Sequence, residues 1–222
     1  MDYYSEHPKF HVAVDCIIFG FKQGRLHLLL LKRNFEPAKG DWSLMGGFVQ
    51  ADESVDDAAR RVLFELTGLD KVYMNQVGAY GALDRDPGER VISVAYYALL
   101  DIDAYDPEPV RAHNAFWVDL KEVPHLIFDH DSMVSKALDR VRHKASDRPI
   151  LFNLLPDEFT LTMFQSLYES LYSEQQDKRN FRKKVAQMEF VEKTGGIDKS
   201  SSRRGAALYR FNPDKYTGTF KI

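Results

Sequence analysis

GGFVQADESVDDAARRVLFELTGL, residues 46–69, is the stretch whose reading decides the fold. Gly46-Gly47 ends an apolar segment, and Ser54 is suited to cap the start of a helix, with Asp57 in its first turn. Val55, Ala58, Ala59, Val62 and Leu66 then recur at helical spacing, and Gly68 closes the helix. The stretch predicts a loop, an amphipathic helix and a tight stop.

In fixed register the same residues resemble the Nudix box: a glycine, a glutamate six residues later, then Arg-Glu-apolar-x-Glu-Glu-x-Gly-apolar. Gly47, Glu53, Arg61, Leu63, Glu65, Gly68 and Leu69 match it, whereas Val62 and Leu66 stand where the family has glutamate. The three family carboxylates lie at i, i+3 and i+4, on one helix face, where they gather magnesium against a pyrophosphate. Only Glu65 of that set remains, with Glu53 as a second carboxylate that could hold a metal weakly beside substrate phosphates. The expectation is a scaffold kept and a catalyst lost, so no catalytic residue, metal or cofactor is assigned. A merely amphipathic helix is the bland alternative, and the number of matches in register weighs against it.

At 222 residues the chain is long for one average domain and sufficient for two small ones. Its net charge of -3 hides an asymmetry, because residues 175–205 carry nine basic against four acidic side chains. Such a patch suits a phosphate backbone, although a charge run alone is usually a solvated face. Cys16, the only cysteine, lies in an apolar run and reads as a core residue. The amino terminus has no signal-peptide pattern and no apolar run spans a membrane, which makes a cytoplasmic location the default expectation. The seven histidines are scattered, with no zinc-ligand spacing.

Strands are expected over residues 10–21, 25–33, 73–83 and 91–102, a short one over 115–118, and a helix over 131–144. Asp147-Arg148-Pro149 reads as a boundary between residues 1–148 and 149–222. Beyond it, Thr160 caps a helix with Phe159 and Phe164 placed as a hydrophobic staple, and Leu161, Phe164, Leu167, Tyr168 and Leu171 form its stripe. Asp177 caps a second helix with Phe181, Val185 and Met188 inward and a basic outer face. A hairpin follows, its arms at residues 189–193 and 206–211 and its tip at 194–205. Two short helices and a basic hairpin make a winged helix-turn-helix.

The whole order resembles the Nudix-related transcriptional regulators. The matching stretches are Arg85-Asp86-Pro87 with Val91 to Tyr97, Phe128-Asp129-His130, Leu154-Leu155-Pro156 through Phe159-Thr160-Leu161, Asp177 through Lys183, and Leu208-Tyr209-Arg210-Phe211. The resemblance implies an α/β/α Nudix-like sandwich followed by a winged helix domain. It further implies a homodimeric repressor on palindromic operator DNA, retuned by a small effector. Some members answer to ADP-ribose and govern NAD metabolism; others answer to sugars. The motifs here are most similar to the arabinose-responsive AraR branch, so L-arabinose is the expected effector and ADP-ribose the alternative.

Lys178, Lys183, Lys184, Arg203 and Arg204 are expected to contact phosphates, and Arg179, Asn180 and Arg182 to read bases. One or two of these side chains are expected only to solvate the helix. Asp15, Arg33, Asp41, Trp42, Phe48, Glu65, Arg85 and Tyr96 are candidates for a sugar site, which needs bidentate hydrogen-bonding groups and an aromatic face. The bland alternatives are core packing for Trp42 and Phe48, and an Arg33–Glu65 ion pair. An active hydrolase of ADP-ribose, or a bifunctional protein, stands as the rival reading.

Overall fold

A computed structural model describes residues 3–104, 107–199 and 205–218. Its first half is a mixed sheet of β1 (His11–Lys22), β2 (Arg25–Lys32), β3 (Trp42–Ser43), β4 (Met45–Phe48), β5 (Tyr73–Tyr80), β6 (Val91–Asp101) and β7 (Ala115–Asp119). The main path runs β3-β2-β1-β6-β5, with β4 on β1 and β7 on β2. Strand β1 pairs in parallel with β6 along its length, and antiparallel with β4 at its start and β2 at its end. A strand buried on both faces shows a continuous apolar run, as β1 does from Cys16 to Phe21.

Alternation along β1 sends Val14, Cys16 and Ile18 to one face, under α1 (Val55–Thr67), and Ile17, Phe19 and Phe21 to the other, under α3 (His130–Ala145). A short α2 (Glu108–Ala112) packs with α1. The box helix forms where expected: Ser54 Oγ accepts from Asp57 N at 3.1 Å, and Gly68 ends it at φ +69°, a conformation costly for any side chain. Helix α3 starts one residue earlier and ends one later than its apolar spacing predicts.

The second half holds α4 (Leu161–Tyr172), α5 (Lys178–Val185) and a small sheet in the order β8 (Phe159–Thr160), β10 (Ala206–Phe211), β9 (Val191–Asp198). Thr160 Oγ1 accepts from Met163 N at 3.1 Å, and the Phe159 and Phe164 rings close the staple at 5.8 Å. Phe164 also meets Phe152 at 4.9 Å and Phe181 at 5.4 Å, while Phe152 stacks on Phe211 at 4.6 Å. Leu161 and Tyr168, expected in the buried stripe, are half-buried at its margin.

Strand β9 runs to Asp198, well past the Lys193 limit that its glycines suggested, because pairing with β10 outweighs the weak strand propensity of Gly195-Gly196. The apolar cores of the two halves are continuous through the 3-10 helix Ile150–Leu154. Leu26 N donates to Ser170 Oγ at 2.9 Å across the junction. Among the described residues, no helix is long and apolar enough to cross a membrane.

Phe164 is fully buried among three aromatic partners, so Phe164→Ala is expected to cost about 3–5 kcal/mol through lost transfer and cavity terms. Urea unfolding of the full chain checks this; a loss under about 1 kcal/mol would contradict a shared aromatic core.

Candidate functional site: a basic helix and a buried ion-pair cluster

Helix α5 is held from its apolar side. Asp177 Oδ1 accepts from Asn180 N at 2.9 Å to start it, and Phe181 and Val185 are buried. The turn before it is fixed by Gln165 Nε2 donating to the Gln176 carbonyl at 2.9 Å and by Gln176 N donating to Glu169 Oε1 at 2.9 Å. Lys178, Arg179, Asn180, Arg182, Lys183 and Lys184 are all exposed, and none of their cations is ion-paired among the described residues. A row of unneutralised cations on a rigid helix is a ready surface for phosphates and base edges. Further along, Arg210 and Lys215 are both committed to Glu192. Arg203 and Arg204 lie outside the described residues.

In the first half, the expected effector residues divide between the two faces of the sheet. On the α3 face, Arg85 is buried and bidentate to Asp129, with Nε–Oδ2 at 3.0 Å and Nη2–Oδ1 at 2.9 Å. It also reaches Asp15 Oδ2 at 3.4 Å. Ser93 Oγ donates to the same Asp15 oxygen at 2.6 Å, and His130 Nε2 lies 3.6 Å from Asp15 Oδ1. Leu44 N donates to His130 Nδ1 at 3.1 Å, and burial pushes that imidazole down, so it sits neutral. Gly46 completes the wall, since a Cβ there would fall 2.5 Å from Asp15 Oδ1. Arg33 stacks over Phe35 at 4.1 Å and lies 5.9 Å from the Phe128 ring, while its Nε donates to the Pro37 carbonyl at 2.8 Å. Asp86, Asp15 and Glu36 face its charge.

The remaining candidates sit elsewhere. Tyr96 faces the α1 side and its hydroxyl donates to Asp56. Trp42 is half-buried against Phe116 and Lys32, and exposed Asp41 is joined to Arg33 through its backbone. Phe48 is 59% exposed beside His11, so core packing does not describe it. Glu65 pairs with Arg61 at 3.4 Å, which replaces the expected Arg33–Glu65 pair. Cys16 is fully buried and its thiol is pushed up to about 12, chiefly by burial, so it is a core residue.

At the box, Arg61 forms two bonds to Glu53, at 2.7 and 3.0 Å, and a third to the Phe48 carbonyl at 3.1 Å. Those bonds hold the Glu53 carboxyl below its usual range. Val62 and Leu66 turn inward into the apolar cluster under α1. The guanidinium thus stands between the two remaining carboxylates, and aliphatic groups fill the other two positions. This donor set does not fit a magnesium cluster. Ser93, Asp129 and His130 were missed as site residues; Asp129-His130 lay inside a matched stretch, but only folding joins it to Asp15.

A Nudix domain profile matches residues 9–138, and a profile described as the NrtR DNA-binding winged helix domain matches residues 151–211. The "ADPR responsive transcriptional repressor NtrR" of Acinetobacter baylyi is 34% identical over 220 residues, covering 97% of this chain and 88% of that protein. An ADP-ribose pyrophosphatase of Methanocaldococcus jannaschii is 37% identical over 129 residues, covering 58% of this chain and 72% of that one. The crystal structure of Shewanella oneidensis NrtR complexed with a 27mer DNA has a TM-score of 0.81 at 29% identity, covering 94% of this chain and 97% of that chain. The Nudix domain of the same protein, complexed with ADP ribose, has a TM-score of 0.54 at 27% identity and covers 62% and 92%. None of these names arabinose, and the expectation of an arabinose branch gives way to the ADP-ribose alternative.

Removing the Arg85 guanidinium leaves Asp15 buried without its cation. Arg85→Met is expected to cost about 3–5 kcal/mol in chemical unfolding, more than an exposed ion pair of the Arg60–Asp57 kind. Equal losses for Arg85→Met and Arg60→Met would refute that.

Proposed function

The chain belongs to the Nudix family whose members carry an NrtR-type winged helix, and from that premise we propose that it is a DNA-binding transcriptional repressor whose operator affinity is set by ADP-ribose. The observation that carries the reading is α5: a winged-helix element with its apolar side locked in the core and six cationic or amide side chains outside, none of them ion-paired among the described residues. Residues 149–222 form the DNA-binding unit and residues 1–148 the sensor, and the protein acts as a homodimer on a palindromic operator. Lys178, Lys183, Lys184, Arg203 and Arg204 take phosphates, while Arg179, Asn180 and Arg182 read bases. The DNA-bound and ADP-ribose-bound structures of the Shewanella protein support both halves of this assignment by similarity.

The sensor site is centred on Asp15, Arg33 and Arg85, with Asp129 and His130 joining them. Asp129 occupies the cap position of α3, yet its carboxylate goes to Arg85 and makes no cap hydrogen bond. At the other end of α3, Arg142 Nε donates to the Leu171 carbonyl at 2.9 Å, and the Tyr172 hydroxyl donates to the Arg142 carbonyl at 2.8 Å. A ligand that redirects Arg85 or Asp129 therefore acts on a helix whose far end grips α4. The effector shifts DNA affinity by its differential binding to the two arrangements.

A second reading, hydrolysis of ADP-ribose, is favoured by the Methanocaldococcus relative and opposed by Val62, Leu66 and the Arg61 bridge. Magnesium-dependent turnover that is lost in Glu65→Ala would establish it; no turnover in the parent protein would exclude it.

The deciding experiment titrates a labelled promoter duplex with protein, with and without ADP-ribose or L-arabinose. Salt-sensitive binding that changes with ADP-ribose alone is expected, and Arg182→Ala should weaken it by about 1–3 kcal/mol. Absence of sequence-specific binding would overturn the regulator. A response to arabinose alone would overturn the effector.

Arg142→Ala is expected to keep basal DNA affinity and to lose most of the ADP-ribose response. An unchanged response would remove α3 as the connection.

A further inference from the structure

On the sheet face away from α1, an open cleft of about 630 Å3 lies between the second half of α3 and strands β5 and β6. None of Asp15, Arg33, Arg85, Asp129 or His130 lines it. Its walls carry Gln76, Tyr97, Arg140, His143, Lys144 and Arg148. We propose that this cleft is a second, separate ligand site, for a small phosphate-bearing anion.

Three observations converge on that chemistry. First, the floor holds an under-satisfied pair of phenols: Tyr97 is only 1% exposed, and beyond the neighbouring Tyr73 hydroxyl it has no hydrogen-bond partner among the described residues. Such groups are rare in folded proteins, because burial removes water without replacing it. Burial, and then the hydrogen-bonding contact with Tyr73, pushes the phenol up, so it keeps its proton.

Second, Arg140, His143 and Arg148 are exposed and form no ion pair among the described residues. Lys144 is fixed by its bond to Asn75 Oδ1 at 2.7 Å. Of the two carboxylates at the rim, Asp139 is turned to Arg142 at 3.5 Å, leaving Asp147 as the only other counter-charge among the described lining residues. Third, Gln76 sits at the irregularity where β5 slips register against β6, a feature that re-aims side chains at functional edges. The walls therefore offer guanidinium, ammonium, amide and phenol donors in excess of acceptors. A tetrahedral oxyanion meets that demand, and arginine forks suit it bidentately. The volume falls within the usual range for small-ligand sites, about 300–1,000 Å3.

The test is calorimetric titration of the full chain with inorganic phosphate, glucose 6-phosphate and glucose. Binding of one or both phosphates, but not of glucose, is expected; tighter phosphate names the free ion and tighter glucose 6-phosphate names a metabolite's phosphate group. Arg140→Ala with Arg148→Ala, both at exposed positions, should weaken that binding about ten-fold or more while leaving the melting temperature nearly unchanged. Tyr97→Phe should weaken it several-fold while leaving the melting temperature of the free protein nearly unchanged, since among the described residues the hydroxyl it removes meets only the Tyr73 phenol. No binding of either phosphate up to about 10 mM would overturn the proposal. Binding unchanged in the double variant would also overturn it. So would a double variant that loses operator affinity while the parent binds neither phosphate, because the arginines would then be DNA contacts.

Discussion

The molecule depends on β1 being hydrogen-bonded on both edges and buried on both faces. It pairs with β6 along one edge and with β4 and then β2 along the other. A one-residue slip would exchange every side chain between the two cores, sending Asp15 under α1 and Cys16 toward α3. That register delivers Asp15 to Ser93 and Arg85, Cys16 to the Ala59 carbonyl, and Phe21 to the junction with the second half. Site and scaffold are set by the same hydrogen-bond ladder.

Helix α3 joins two environments with different physics. Its first turn lies in a buried charged cluster, where an uncompensated group is costly and any ligand must re-satisfy what it displaces. Its last turns grip α4 through two hydrogen bonds to backbone carbonyls, which transmit position more than charge. The continuous apolar core beneath makes the junction between the halves a packed interface, and packed interfaces switch between discrete arrangements more readily than they bend.

The box helix shows how a motif can keep its architectural duty with altered chemistry. Gly47, Arg61, Leu63 and Gly68 still serve the turn, the loop clamp, the core and the stop. Val62 and Leu66 deepen the apolar face in place of charge. Arg61 neutralises Glu53 and Glu65, which would otherwise repel one another beside the Phe48 loop.

Much of this was legible in the chain itself. The box helix with both caps, strands β1, β2 and β6, the Thr160 and Asp177 caps and the inward Phe181 and Val185 all follow from local periodicity and capping chemistry, which act within a few residues. Glycine misled at Gly195-Gly196, where a partner strand outweighed local preference. What only the tertiary structure decided is which distant groups meet. Sequence alternation says that Tyr96 and Tyr97 face opposite ways, but not that one meets Asp56 and the other an open cleft. Nor could spacing place Asp15, Arg85, Ser93 and Asp129 together, because their meeting is set by sheet register and by the docking of α3, long-range closures that leave no local periodic trace.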